Sequence, residues 1–313
     1  MNHPRLAGIS AAALIGSTVP VSGLLVDYPL LTGQSARFLF GAGVLAVFMR
    51  VRGIPLGRPR SGDWPALVAV VAVGMLGFNA TLIGAQEFAD PGLVAAVLGG
   101  SPLMLAILGP LLVGKRPAVA AVAGAGVVVA GVAVLSGGGA WSGPGLVLAI
   151  LTLLGEVGFT LFAVGLIQRH GGFATSFWTH LVAGAGGAVL ASIVDTPRMP
   201  TATEAAALAG VAVLAVFAAC LWFSSVRALG AGRAGVLAGA MPVAGLSASV
   251  LIGAEDLRVA AVVGVVLVAV GCVIGLRQVT PSTYRSSAPA GTAPAPLSRR
   301  TASGTPLPDC PAP

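Results

Sequence analysis

Along the chain, apolar residues come in stretches of roughly twenty, separated by short segments where charge, glycine or proline interrupts them. About 20 residues is what a helix needs to cross the ~30 Å hydrocarbon core of a bilayer. Ten such stretches fall at 6–25, 30–49, 65–84, 91–113, 118–136, 144–167, 173–194, 204–226, 233–252 and 258–276. The pattern predicts an all-α integral membrane protein with ten transmembrane helices. The first stretch resembles a signal peptide, since Arg5 precedes an apolar run, but Asp27 and a second stretch follow at once without a clear small-x-small cleavage site. It therefore reads as a retained helix. From residue 277 the sequence turns to Pro, Ser, Thr and Ala with scattered Arg, and 277–313 reads as a disordered cytoplasmic tail.

Composition narrows the class further. Only 9% of the 313 residues are charged and 56% are hydrophobic, against about 25% charged in soluble domains. A surface that apolar excludes a soluble enzyme, a nucleic-acid-binding module and a disordered protein. The three cysteines, Cys220, Cys272 and Cys310, form no CxxC or disulfide framework. Nothing in the sequence implies a cofactor or a metal. Arginine replaces lysine everywhere except Lys115, which together with the Ala, Gly, Val and Pro richness points to a GC-rich bacterial coding sequence.

The formal charge of +7 is explained by placement rather than by a nucleic-acid partner. With the N-terminus inside and ten alternating crossings, fourteen of the seventeen basic residues fall on the cytoplasmic side. Arg198 and Arg258 fall outside, and Arg37 lies within a crossing. Most acids fall outside: Asp27, Glu87, Asp90, Asp195, Glu204, Glu255 and Asp256. The expected location is a bacterial cytoplasmic membrane, with both termini cytoplasmic.

Sliding the chain against itself by about 140 residues aligns two halves, 1–139 and 140–276. Gly92 meets Gly232, Gly99 meets Gly239, Pro102 meets Pro242, Gly124 meets Gly264 and Gly131 meets Gly271. Loop charges reverse at the same offset: Glu87 faces Arg227, Lys115 faces Glu255 and Arg116 faces Asp256. Each half holds an odd number of crossings, so the second must enter the membrane upside down. Two inverted five-helix repeats are a hallmark of secondary transporters, with the substrate site near the midplane.

Several short motifs carry a resemblance. Arg37-Phe38, Ser101-Pro102, Met241-Pro242 and the turn Gly253-Ala254-Glu255-Asp256-Leu257 before a terminal glycine-rich helix are similar to those of EamA-type drug/metabolite transporters. The resemblance covers roughly 6–276. The chain departs from the family pattern at Gly114-Lys115-Arg116-Pro117, where a glutamate is common, and at Ile15-Gly16, where a Trp-Gly pair is familiar. The resemblance implies a cytoplasmic-membrane carrier that moves small metabolites or drugs, often outward.

A charge at the bilayer centre costs at least ~2.5–3.5 kcal/mol on insertion scales, so it usually faces a cavity or a partner. Glu156 stands about twelve residues into the sixth stretch and Arg37 about eight from the outer end of the second. Glu156 is either a carboxyl that trades a proton for a cationic group or a protonated or arginine-paired group that only holds helices together. Arg37 either grips an anionic group or is structural, bonded to backbone carbonyls at a kinked helix or to Glu156. Asn79 bonds a substrate or a neighbouring helix, and His180 is a helix–helix bonding residue or a proton relay. Trp178 and Trp222 line a cavity or anchor at the interface. Thr160 shares the helical face of Glu156. Pro102 and Pro242 are hinge or cavity-lining candidates, or static kinks.

The leading expectation is a secondary-active transporter, exporting an amino-acid-like compound, amine, metabolite or drug by alternating access. Its partners are the small-molecule substrate, the lipid bilayer and, as a candidate coupling ion, the proton, with no nucleic acid. It would act as a monomer or homodimer. The alternatives are a lipid-modifying membrane enzyme, which usually needs clustered acids or Ser/His pairs, and a non-transporting assembly subunit.

Overall fold

In the computed structural model the described residues are 3–25, 27–89, 94, 97–137, 140, 142–251 and 258–276. Met1–Gln278 makes one compact unit, while Val279–Pro313 forms a second that lies outside the described residues. The tail 277–313, Asp90, Gly92 and the turn 253–257 therefore also lie outside them. The described residues are almost wholly helical and form no β-sheet. A bilayer imposes this, because no water is present to bond the backbone and each N–H and C=O must be satisfied within its own segment.

The first half contains α1 (His3–Ser22), α2 (Leu30–Val51), α3 (Trp64–Val71), α4 (Phe78–Phe88), α5 (Ser101–Leu112) and α6 (Val119–Ser136). The second contains α7 (Gly145–Val194), α8 (Ala202–Leu229), α9 (Ala231–Ala238), α10 (Ala240–Leu251) and α11 (Val259–Gly275). Among the described residues, four helical segments are individually long and apolar enough to cross a membrane: Leu30–Val51, Ser61–Phe88, Gly145–Val194 and Ala202–Leu229. At 50 residues, α7 is long enough for two crossings. The protein is a multi-pass helical membrane protein.

The helices depart from the expected stretches where the backbone breaks. The third stretch is interrupted by a π-helical turn, Ala72–Gly77, between α3 and α4. The fourth is interrupted at Gly99–Gly100 before α5, and the ninth at Gly239 between α9 and α10. These two breaks are 140 residues apart. Between the sixth and seventh stretches the expected linker contracts to a single residue, Gly171, with φ 79° and ψ 170°. Gly230 separates α8 from α9 in the same way, with φ 80° and ψ 155°. Side chains disfavour positive φ, so glycine can reverse the chain here without a longer loop.

Packing follows the repeat. Helices α6 and α11 cross antiparallel through glycines, and the contacts are reciprocal. A Cβ on Gly124 would lie 2.6 Å from the Gly271 carbonyl oxygen, and one on Gly271 would lie 2.7 Å from that of Gly124. The Gly131–Gly264 pair repeats this at 2.9 and 2.8 Å. Because Gly264 and Gly271 are the offset partners of Gly124 and Gly131, the crossing has approximate two-fold symmetry about the buried pair Val128 and Val268. Helix α2 packs likewise on the second half of α7, where Ser35 Oγ donates to the Gly184 carbonyl at 2.7 Å. Helix α1 lies on α8, and its offset counterpart, the first half of α7, lies on α3 and α4. Val47, Val119, Val189 and Val273 point outward, as lipid-facing residues should.

Gly131→Leu should therefore destabilise the protein by at least ~1–3 kcal/mol, since overpacking a backbone contact forces the helices apart. At Gly126 an added Cβ would meet no atom within 4 Å, so Gly126→Leu should leave thermal unfolding in detergent unchanged.

Candidate functional site

The first half of α7 carries three polar residues at helical spacing, Thr152, Glu156 and Thr160. Each reaches a different neighbouring segment. Thr152 Oγ1 lies 3.0 Å from Thr81 Oγ1 on α4 and also donates to the Leu148 carbonyl at 2.8 Å. Glu156 Oε1 accepts from Ser101 Oγ at 3.0 Å. Thr160 Oγ1 accepts from Trp222 Nε1 on α8 at 3.1 Å. A residue four positions on lies on the same face, one turn along, so the stripe joins three segments to a single helix.

Glu156 occupies a specific backbone environment. Ser101 is the first residue of α5, directly after the interruption at Gly99–Gly100. The carboxyl is thus hydrogen-bonded at the N-terminal turn of a half-helix, where the peptide dipoles favour negative charge. Pro102 follows at the second helical position, where it removes no required hydrogen bond. It begins the second half of a broken crossing rather than bending a continuous one. Pro242 is placed comparably, as the third residue of α10 after the break at Gly239. The π-helical turn lies against the same stretch, with Gly74 close to the Phe159 backbone and Gly155 close to the Val73 carbonyl.

Among the described residues no ion pair joins Glu156 to Arg37; of the alternatives for Glu156, arginine pairing is not seen, and the carboxyl is bonded to serine. Arg37 stacks its guanidinium over Phe38, 4.8 Å from the ring centroid. Its Nε is buried with no hydrogen-bond partner among the described residues, as is Oε1 of Gln34, one turn earlier on α2. An orphaned donor and an orphaned acceptor therefore occupy one helical face. Buried polar groups are seldom left unpaired, because each costs ~1–3 kcal/mol. His180 is buried next to this face, with Nδ1 donating to the Ser176 carbonyl at 2.8 Å and its ring edge-on to Phe38 at 5.6 Å.

The remaining candidates are satisfied locally. Asn79 Nδ2 donates to the Met75 carbonyl at 2.6 Å, supporting the π-helical turn on its own segment. Trp178 Nε1 donates to the Gly57 carbonyl at 2.8 Å and so fastens the segment between α2 and α3. Trp222 is buried in the core by its bond to Thr160.

Two further polar clusters have no counterpart among the sequence-predicted candidates. At the end of the molecule that carries the N-terminus of α3, buried Asp63 accepts from Arg169 Nη2 at 2.6 Å, His170 Nε2 at 2.8 Å and the Arg60 amide at 2.9 Å. This cluster sits against the Gly171 reversal. At the opposite end Arg198 donates to both oxygens of Glu204, at 2.9 and 2.5 Å, and stacks on Tyr28. The Glu204 carboxylate holds the Arg198 guanidinium above its ordinary range. Tyr28 Oη donates to the Arg198 carbonyl at 3.0 Å, and Asp195 accepts from the amide and hydroxyl of Thr32 at 2.7 and 2.9 Å. Gln34 and Thr152 had a legible signal, since they lie three and four residues before charged neighbours. The pairings of Ser101 with Glu156 and of Asp63 with His170 had none, because these partners are 55 and 107 residues away.

A helical bundle with broken crossings, and a part-buried carboxyl–hydroxyl pair at one of the breaks, fits a membrane protein of the transporter class. Sequence comparison agrees: the model of the EamA-like transporter family matches the chain twice, over residues 5–137 and 143–277. The chain belongs to this family. One solved structure, described as "Crystal structure of protein", aligns at a TM-score of 0.73 and 21% identity, covering 87% of this chain and 97% of the other. At that identity the likeness is one of fold. No curated protein matches in sequence.

Thr160→Val should cost ~1–3 kcal/mol by leaving the Trp222 N–H buried and unpaired. Thr160→Val combined with Trp222→Phe should recover part of that loss, and thermal unfolding of the two single variants and the double variant measures the coupling.

Proposed function

We propose that the protein is a secondary-active carrier, not an enzyme, which exports a small metabolite, amino-acid-like compound or drug across a bacterial cytoplasmic membrane. The observation that carries this reading is the Glu156 carboxyl, held by Ser101 where a crossing is broken in the interior of the bundle. Discontinuous helices at repeat-related positions are where carriers place their substrate and ion sites. In this reading Glu156 takes up and releases the coupling proton, or binds a cationic group of the substrate. Arg37 and Gln34 supply a donor and an acceptor that no side chain among the described residues satisfies. A substrate with an acidic and an amine or hydroxyl group would meet both requirements.

The two halves then act as inverted five-helix repeats in a ten-crossing topology with both termini cytoplasmic. Alternating access follows as the repeats exchange conformations around the site. The reciprocal glycine crossing of α6 and α11 supports the two-fold relation. The Gly99–Gly100 and Gly239 breaks supply equivalent points of flexure, with Pro102 and Pro242 fixing where the second half-helix starts.

Reconstitution into proteoliposomes tests the reading. An imposed pH gradient should drive flux of a zwitterionic or amine substrate in the wild type. Glu156→Gln should reduce that flux at least about tenfold, as expected for loss of an ionisable group at membrane depth. Arg37→Gln should weaken substrate competition while leaving folded yield unchanged. Wild-type rate and pH dependence in Glu156→Gln would refute the assignment of the coupling group, and lipid turnover without flux would favour an enzyme.

A further inference from the structure

A groove of about 740 Å³ opens on the flank of the bundle between α1, the α9–α10 region and α11. Its walls are almost entirely aliphatic, with Ile9, Leu237, Val243, Val265 and Val273 among them. Among the described residues one charged side chain lines it, Arg5, on the first turn of α1. Arg5 is half-buried and spends one N–H on the carbonyl of Leu276, at the C-terminal end of α11, at 3.1 Å. A guanidinium carries five N–H donors in a planar fork suited to phosphate. The carbonyl thus fixes the position of the charge while leaving it most of its hydrogen-bonding capacity.

We infer that this groove holds one molecule of an anionic phospholipid, its acyl chain lying in the aliphatic trough and its phosphate on Arg5. The geometry separates this site from the ordinary lipid-facing surface. Val47, Val119 and Val189 stand on outward faces as single exposed aliphatic side chains, whereas here three segments line a concave apolar groove with a cation at one end. Both Arg5 and Leu276 stand at helix ends, on the face where the basic residues accumulate, so the cation lies at headgroup depth and the trough runs inward from it. Basic pockets between membrane helices on that face are a known means of binding anionic headgroups. An alkyl chain satisfies the aliphatic wall; a zwitterionic headgroup brings its own cation with its phosphate and so leaves the Arg5 charge uncompensated overall, whereas an anionic headgroup neutralises it. The site faces lipid on the flank formed by α1 and α11, apart from the Glu156–Ser101 stripe on α7 and α5. It therefore does not depend on what the protein carries.

Native mass spectrometry of the full chain purified in mild detergent, with added phosphatidylglycerol or phosphatidylcholine of identical acyl chains, tests this inference. One phosphatidylglycerol should remain bound per chain, and phosphatidylcholine should be lost. Arg5→Gln should weaken retention about fivefold, the share expected of one basic residue at the headgroup, and Arg5→Lys should restore part of it. Ala269→Phe, which fills the trough from an exposed position, should reduce retention of the same lipid without lowering thermal stability. Arg58→Gln, on an exposed loop away from the groove, should leave retention unchanged. Equal retention of the two lipids, or unchanged phosphatidylglycerol retention in both Arg5→Gln and Ala269→Phe, would overturn the assignment.

Discussion

The fold depends on how closely apolar helices can approach when no hydrophobic driving force brings them together. In a bilayer the tails of lipids are as apolar as leucine, so association rests on van der Waals contact, and contact requires small residues. The crossing of α6 and α11 supplies it through Gly124, Gly131, Gly264 and Gly271, whose backbones touch reciprocally. Because the pairs are offset partners, one geometric requirement is met twice by one sequence pattern. The same economy recurs where α2 meets the second half of α7, at Ser35 and Gly184. Glycine content that would weaken a soluble helix here sets the distance between the two halves.

The repeat recurs in the α6–α11 crossing and in the Gly99 and Gly239 breaks, but not in chemistry. The offset partner of Glu156 is Gly16, and that of Ser101 is Met241. Where the first pair makes a side-chain hydrogen bond, a Cβ on Gly16 would run into the Met241 carbonyl oxygen and lie 2.7 Å from the Gly245 amide nitrogen. One half closes backbone on backbone, while the other inserts a carboxyl and a hydroxyl. Thr152 and Thr160 similarly correspond to Ala12 and Pro20. The polar stripe therefore belongs to one repeat alone, and the second-half helix α7 carries the candidate site.

Polar clusters also mark the two ends of the bundle, one built on Asp63 and one on Glu204. Each places an acid at the start of a helical segment, after a short turn that it caps: Asp63 accepts from the Arg60 amide and Glu204 from the Thr201 amide. Each then binds an arginine near a chain reversal. In each the carboxylate is buried while its arginine stays partly exposed, so the cluster mainly fixes where the loops sit. Trp178 acts in the same sense through its bond to Gly57.

The sequence by itself determined that the chain lives in a bilayer, that it repeats at about 140 residues, and that Glu156 and Arg37 are costly groups needing an explanation. These follow from hydropathy, charge placement and glycine spacing, which are properties of residue order. Only the tertiary structure decided the partners. It joined Glu156 to Ser101 instead of Arg37, left Arg37 Nε and Gln34 Oε1 unpaired among the described residues, and converted expected continuous crossings into broken ones. It also contracted the turn between the sixth and seventh stretches to Gly171. The reason is physical: a hydropathy stretch fixes how much apolar length a segment has. Which face turns toward which neighbour, and where its backbone hydrogen bonds lapse, depends on contacts between residues far apart in the chain.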